Sequence, residues 1–151
     1  MRATKLLRRT ALVLALAIGI FSFLAQGGHA NATDLPVVYV SGTLSASQTW
    51  NPSNVYFITN QVTIPDGVTL TISAGTIVKT NYHTSGVQVN NGGTLNIDGS
   101  TSSNVTFTSY RDDSMGGDTN GDGPSVGLDR DYSAIFSDRG TVNITGVDFK
   151  Y

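Results

Sequence analysis

The sequence predicts an all-β solenoid, in which short strands wind into coils and the coils stack. Two observations carry this. First, beyond the first thirty-odd residues no segment places apolar side chains at i, i+3, i+4 and i+7. The chain runs instead in short alternating stretches rich in Val, Ile and Thr, broken by Gly and Asn. Second, the stretches repeat. "VTIPDGVTLTI" (62–72) and "VQVNNGGTLNI" (87–97) align without a gap at a shift of 25. A third copy, "AIFSDRGTVNI" (134–144), follows at a further shift of 47, with Ala134 on Val87 and Arg139 in place of the turn glycine. That shift also falls to ~25 once an insertion between Tyr110 and Tyr132 is removed, a period in the range of solenoid proteins.

The chain opens with a segment outside this pattern. Arg2, Lys5, Arg8 and Arg9 form a basic region, Ala11 to Ala25 is an apolar run, and Ala30-Asn31-Ala32 fits a small-x-small cleavage site. Residues 1–32 therefore read as a secretory signal peptide, too short in its apolar run to span a bilayer comfortably. The residues after Arg8-Arg9 match the twin-arginine signal poorly, which favours the general secretory route. The expected location is extracellular or at the cell surface, with no membrane span after cleavage.

Cleavage there removes four of the nine basic residues. Lys79, Arg111, Arg130, Arg139 and Lys150 remain against eleven aspartates and no glutamate, a formal charge of −6. An acidic surface without basic clusters argues against nucleic acid and anionic membranes as partners. There is no cysteine. A secreted chain of this size without disulfides must be held by core burial, by metal, or by stacking onto more protein.

Strands are expected at Val37–Val40, Val55–Ile58, Val62–Ile64, Val68–Ile72, Thr76–Lys79, Val87–Val89, Thr94–Ile97, Val105–Thr108, Ala134–Phe136, Thr141–Ile144 and Val147–Phe149. In each, alternate apolar residues point to one face and the Thr, Asn and Gln between them to the other. Stacking the copies places Leu70, Leu95 and Val142 in one interior column and Ile72, Ile97 and Ile144 in the next. Backbone groups of each strand then pair with the equivalent strand of the neighbouring coil. An antiparallel sandwich also has many short strands, but it does not require an ungapped repeat.

"SGTLSASQTW", "VTIPDGVTLTISAGTIVK", "GGTLNIDGS", "VTFTS" and "DDSMGGDTNGDG" resemble the N-terminal part of bacterial secreted right-handed parallel β-helix proteins of the pectin-lyase-like kind. The likeness spans roughly residues 37–151. It implies N-terminal capping strands over 33–60, with Trp50 as a packing residue rather than a sugar-stacking one. Three to four coils follow over 61–151, with the acidic insertion at 111–131. The scaffold hosts polysaccharide lyases, hydrolases, adhesins and proteins of unknown role, so it does not fix an activity. "VDFKY" ends the chain in mid-strand without a cap, so the expectation is a fragment of a longer protein.

The insertion holds Asp112, Asp113, Asp118, Asp122, Asp129 and Asp131. From Asp118, "DTNGDGPSVGLD" puts oxygen ligands at loop positions 1, 3 and 5 (Asp118, Asn120, Asp122), glycine at 6 (Gly123), the carbonyl of Pro124 at 7 and a carboxylate at 12 (Asp129). This is the spacing of an EF-hand calcium loop, and Ca²⁺ takes six to eight hard oxygens. It departs from that pattern at position 12, Asp rather than Glu, and at position 8, Ser125 rather than an apolar residue. No helix pattern flanks it. The alternative is a solvated Asp/Gly-rich excursion; Asp112 and Asp113 extend the site or only add negative field.

No catalytic constellation is visible. Lys79, Arg111, Arg130 and Arg139 are the available bases, and none falls in a lyase-like motif. His83, alone and without cysteine, reads as a polar turn residue. Two functions remain open. One is a structural or binding protein, adhesin-like or carbohydrate-associated, whose partner is an extracellular polysaccharide or a cell-surface component. The other is the N-terminal fragment of a polysaccharide lyase or glycoside hydrolase whose catalytic coils lie beyond residue 151.

Overall fold

A computed structural model describes residues 35–81, 85–131 and 134–151. The expected signal peptide and His83 lie outside them. The chain folds as a parallel β-helix of eleven strands: β1 (Val37–Thr43), β2 (Gln48–Trp50), β3 (Val55–Ile64), β4 (Thr69–Ser73), β5 (Ile77–Thr80), β6 (Gly86–Val89), β7 (Thr94–Asp98), β8 (Val105–Ser109), β9 (Ala134–Ser137), β10 (Thr141–Thr145) and β11 (Val147–Phe149). Among the described residues no helix is long and apolar enough to cross a membrane.

Every pairing between these strands is parallel, and together they make three faces. The first face stacks the starts of β1 and β3 with β5, β8 and β11. The second stacks the ends of β1 and β3 with β6 and β9. The third stacks β2, β4, β7 and β10. The chain visits the three faces in turn, so each circuit makes one coil. β2 has no apolar alternation in its three residues, which is why it escapes a periodicity reading.

The column pairings fall where the repeat places them, but Ile144, expected inside, is 48% exposed. Leu70 pairs with Leu95 and Leu95 with Val142; Ile72 pairs with Ile97 and Ile97 with Ile144. Leu70, Ile72, Leu95 and Ile97 are wholly buried, and full burial of one such side chain stabilises by about 1.5–3 kcal/mol. Trp50 stands opposite Ile72 and so continues the isoleucine column. Its ring stacks on Tyr56 at 4.7 Å and 8° and is 1% exposed, which leaves no face for a sugar. Polar positions between the columns face out; there Asn143 Nδ2 donates to Asn96 Oδ1 at 2.9 Å.

The third copy departs from the simple alignment by one residue. In β9, Ile135 and not Ala134 stands opposite Val87. A slip of one residue moves every side chain to the other face. Ile135 consequently packs on the core while Phe136 is 52% exposed. The register recovers before β10 because the turn from β9 is one residue shorter than the turn from β6 to β7. Arg139 takes φ 60 in that turn, the left-handed conformation that Gly92 holds at φ 79 in the previous coil. At Gly92 itself a Cβ would lie 1.8 Å from Asp66 Oδ1, so glycine is needed there for space as well as for conformation.

Candidate metal centre

The acidic insertion leaves the coil at the corner between the first and second faces. β1 and β3 run straight through this corner, whereas β8 and β9 are separated by residues 110–133. The loop does not project into solvent. It folds back over the outer side of the first face. Tyr56, Ile58, Val78 and Phe107 of that face belong to the core. By strand alternation Val55, Phe57, Ile77, Lys79 and Thr108 face outward. The loop covers them. A Cβ on Gly116 would come within 2.4 Å of Val55 Cγ2, so only glycine, here at φ 71, lets the backbone lie this close. The Tyr110 ring stacks on Phe57 with centroids 5.9 Å apart.

Three buried charged side chains fasten the loop. Asp112, 1% exposed, accepts from Thr108 Oγ1 at 2.7 Å through Oδ2 and from the Ser114 amide and hydroxyl through Oδ1. Asp131, also 1% exposed, accepts from Ser109 Oγ at 2.8 Å and from the Leu128 amide at 3.2 Å. Adjacent hydroxyls at the end of β8 thus hold the two ends of the loop. Arg111 Nε lies 3.8 Å from Asp131 Oδ2, and its guanidinium sits over the Tyr110 ring. Lys79 is wholly buried; its Nζ donates to the Gly117 carbonyl at 2.6 Å and to Thr119 Oγ1 at 3.3 Å. The clamping roles of Asp112 and Asp131 escape spacing arguments, because Thr108 and Ser109 reach them only after the loop has folded back.

Above these anchors, Asp113, Asp118 and Asp122 each bring a carboxylate oxygen to within 4.8 Å of the other two. Such pairs repel by about 1 kcal/mol each in water and by more at lower effective dielectric. The backbone organises Asp118: Oδ1 accepts from the amides of Asn120 (3.2 Å) and Gly121 (2.7 Å), and Oδ2 from Gly123 (3.0 Å). The amides of Gly123 and Gly121 hold its carboxyl below the usual aspartate range, by favouring the charged form.

Ser125 organises the other two. Asp113 Oδ2 accepts from its amide at 2.6 Å, and its hydroxyl lies 3.3 Å from Asp113 Oδ2 and 3.1 Å from Asp122 Oδ1. The same hydroxyl is 2.7 Å from the Arg111 carbonyl, so its single proton serves one acceptor at a time. Ser125, the departure at position 8 of the calcium-loop pattern, thus holds Asp113 through its amide and places its hydroxyl among Arg111, Asp113 and Asp122.

Of the residues expected from spacing, the structure brings Asp118 and Asp122 together and adds Asp113. Asn120 lies between them in the loop. Its Oδ1, like Asp113 Oδ1, is buried without a hydrogen-bond partner. Pro124 and Asp129 are both exposed, and Asp129 stands outside the carboxylate group. The donor set is entirely hard oxygen, which suits Ca²⁺ or Mg²⁺ rather than a softer metal. Three clustered carboxylates, one of them carrying the unpartnered Asp113 Oδ1, fit a divalent cation.

The bases named in the sequence do not form an acid/base pair at this cluster. Lys79 is under the loop, Arg130 is exposed, and Arg139 pairs with its neighbour Asp138 at 3.2 Å on the surface. Among the described residues the two ion pairs are Arg111–Asp131 and Arg139–Asp138.

No curated protein and no solved structure matches the chain. A family match does exist, to the pectate-lyase-like beta helix domain, over residues 42–122. The matched span runs from the end of β1 through β2 to β8 and into the acidic loop as far as Asp122. It covers more than half of the sequence, and the all-parallel strand pairing agrees with a beta helix. The chain belongs to the pectate-lyase-like beta helix domain family.

Proposed function

We propose that this chain is a secreted or cell-surface β-helix module with a structural or binding role, and that its acidic loop is shaped by Ca²⁺. The observation that carries the reading is the convergence of Asp113, Asp118 and Asp122 within 4.8 Å, in a loop where Asp113 Oδ1 and Asn120 Oδ1 are buried without hydrogen-bond partners. A divalent cation would neutralise the three carboxylates and complete those oxygens' coordination. Asp113, Asp118, Asn120 and Asp122 would hold it.

The binding role rests on the scaffold and on charge. Stacked coils offer long polar outer faces, and the net negative surface after loss of the basic leader favours neutral polysaccharide or a cell-surface component over nucleic acid. Lys79, the one base on the covered face, is engaged with the loop.

Titration of Ca²⁺ into the protein by calorimetry tests the cation reading, with Asp113→Ala, Asp118→Ala and Asp122→Ala as controls. Saturable heat that the three substitutions weaken, with a rise in melting temperature on adding Ca²⁺, is the expected result. No heat and no rise would remove it.

A further inference from the structure

We propose that Lys79 is a positioning residue for the cation loop, setting the Asp118 carboxylate from beneath through Gly117 and Thr119. The proposal rests on the calcium reading above. Lys79 lies on the outward side of β5, opposite Phe57 in β3 and Thr108 in β8. An outward lysine on a strand ordinarily keeps its ammonium in water. This one has no exposed surface. A buried ammonium must find acceptors, and the loop supplies two of them, the Gly117 carbonyl at 2.6 Å and Thr119 Oγ1 at 3.3 Å.

Those two residues stand immediately before and after Asp118. Because Thr119 Oγ1 accepts from Lys79, its own proton is left to donate to the Tyr110 carbonyl at 2.8 Å. The chain is therefore pinned on both sides of Asp118 and tied to the residue where the loop begins. The Asp118 side chain stays on the exposed side, where its oxygens collect the amides of Asn120, Gly121 and Gly123. Removing the pin lets the loop sample other arrangements. The apparent dissociation constant for a cation then rises by the inverse of the fraction still ordered. The coupling is reciprocal: a cation that orders the loop must in turn protect Lys79 from solvent.

Two measurements on the full chain test this. Calorimetric Ca²⁺ titration compares wild type with Lys79→Met, Thr119→Val and Thr119→Ser. Lys79→Met and Thr119→Val are expected to weaken binding about tenfold, the effect of one lost charge-assisted hydrogen bond. Thr119→Ser, which keeps the hydroxyl, is expected to bind as wild type does. Acylation by an amine-reactive ester, read by mass spectrometry, then compares saturating Ca²⁺ with a chelator. Lys79 is expected to react about tenfold more slowly with Ca²⁺, while an unstructured lysine peptide added as reference reacts equally in both.

If wild type and Thr119→Val bind Ca²⁺ alike and Lys79 reacts at one rate throughout, the positioning role is wrong and the calcium reading stands. If Thr119→Ser is as weak as Thr119→Val, the hydroxyl link is not the cause and the proposal fails. If wild type takes up no Ca²⁺, both fall. The Thr119 pair keeps the test valid even where Lys79→Met does not fold.

Discussion

The carboxylate of Asp112 takes its hydrogen bond from the hydroxyl of Thr108, Oγ1 to Oδ2, at 2.7 Å, and both residues are buried. This bond ties the first turn of the acidic loop to the last turn of regular strand before it. Asp112→Ala would leave the Thr108 hydroxyl and the Ser114 amide without their acceptor. The expected cost is about 1–3 kcal/mol, the price of an unsatisfied buried polar group. It should fall on the loop more than on the coils. Hydrogen exchange would show faster exchange across 111–131 with the amides of β4 and β7 unchanged. Uniform loss of protection would mean that the loop and the coils unfold as one unit.

The loop should also respond to acid. Hydrogen bonds from Gly123 and Gly121 hold the Asp118 carboxyl below the usual aspartate range. Because the folded value is the lower one, the charged form is what the fold favours. Its contribution is complete above the ordinary aspartate value and is lost as pH falls through the folded value. Protection of the Gly121 and Gly123 amides, followed by NMR, is expected to stay level from neutral pH down to about 5 and to decay below about 4. Decay near pH 6 would assign control of the loop to another group.

Leu95 is the centre of an interior column, wholly buried between Leu70 and Val142. Leu95→Ala is expected to cost about 2–5 kcal/mol in denaturant unfolding. Leu95→Asp would bury an unpaired charge and abolish folding. A soluble, cooperatively melting Leu95→Asp protein would show that the column is not the core.

Arg139 and Gly92 occupy equivalent turns in successive coils with φ 60 and φ 79. A non-glycine residue in this region is strained by about 1–2 kcal/mol. The Arg139–Asp138 pair is exposed on both sides and offsets little of that. Arg139→Gly is therefore expected to raise stability by up to about 1 kcal/mol, part of the relief being cancelled by glycine's greater unfolded-state entropy. Gly92→Ala is expected to lower it, since its Cβ would also collide with Asp66. Equilibrium denaturation of the two variants checks both signs.

The strands and the coil stack were legible because each depends on a short-range rule. Alternation of Val, Ile and Leu with Thr and Asn marks a strand, and equal spacing of such strands marks a column. Leu70–Leu95–Val142 and Ile72–Ile97–Ile144 follow from those two rules alone. β2 was not legible, since Gln48–Trp50 has a single inward apolar anchor. The one-residue slip in β9 was not legible either. Ala134, Ile135 and Phe136 are all apolar, and only packing against Val87 selects Ile135 for the interior.

By itself the sequence determined that coils would stack, which residues of the strands carrying Leu70 and Leu95 line the interior, and that Asp118, Asn120 and Asp122 share one tight loop. The backbone turns at Gly121 and Gly123 make that last grouping local. The tertiary structure alone decided where the loop lies and what joins it. Asp113 reaches Asp118 and Asp122 because the Ser125 amide holds its carboxylate from across the loop, while Asp129 stays outside. Lys79 meets Gly117 across thirty-eight residues. Such contacts depend on which face of the stack the loop covers, and that is set by the buried charges and hydroxyls that must find one another, not by any periodic pattern.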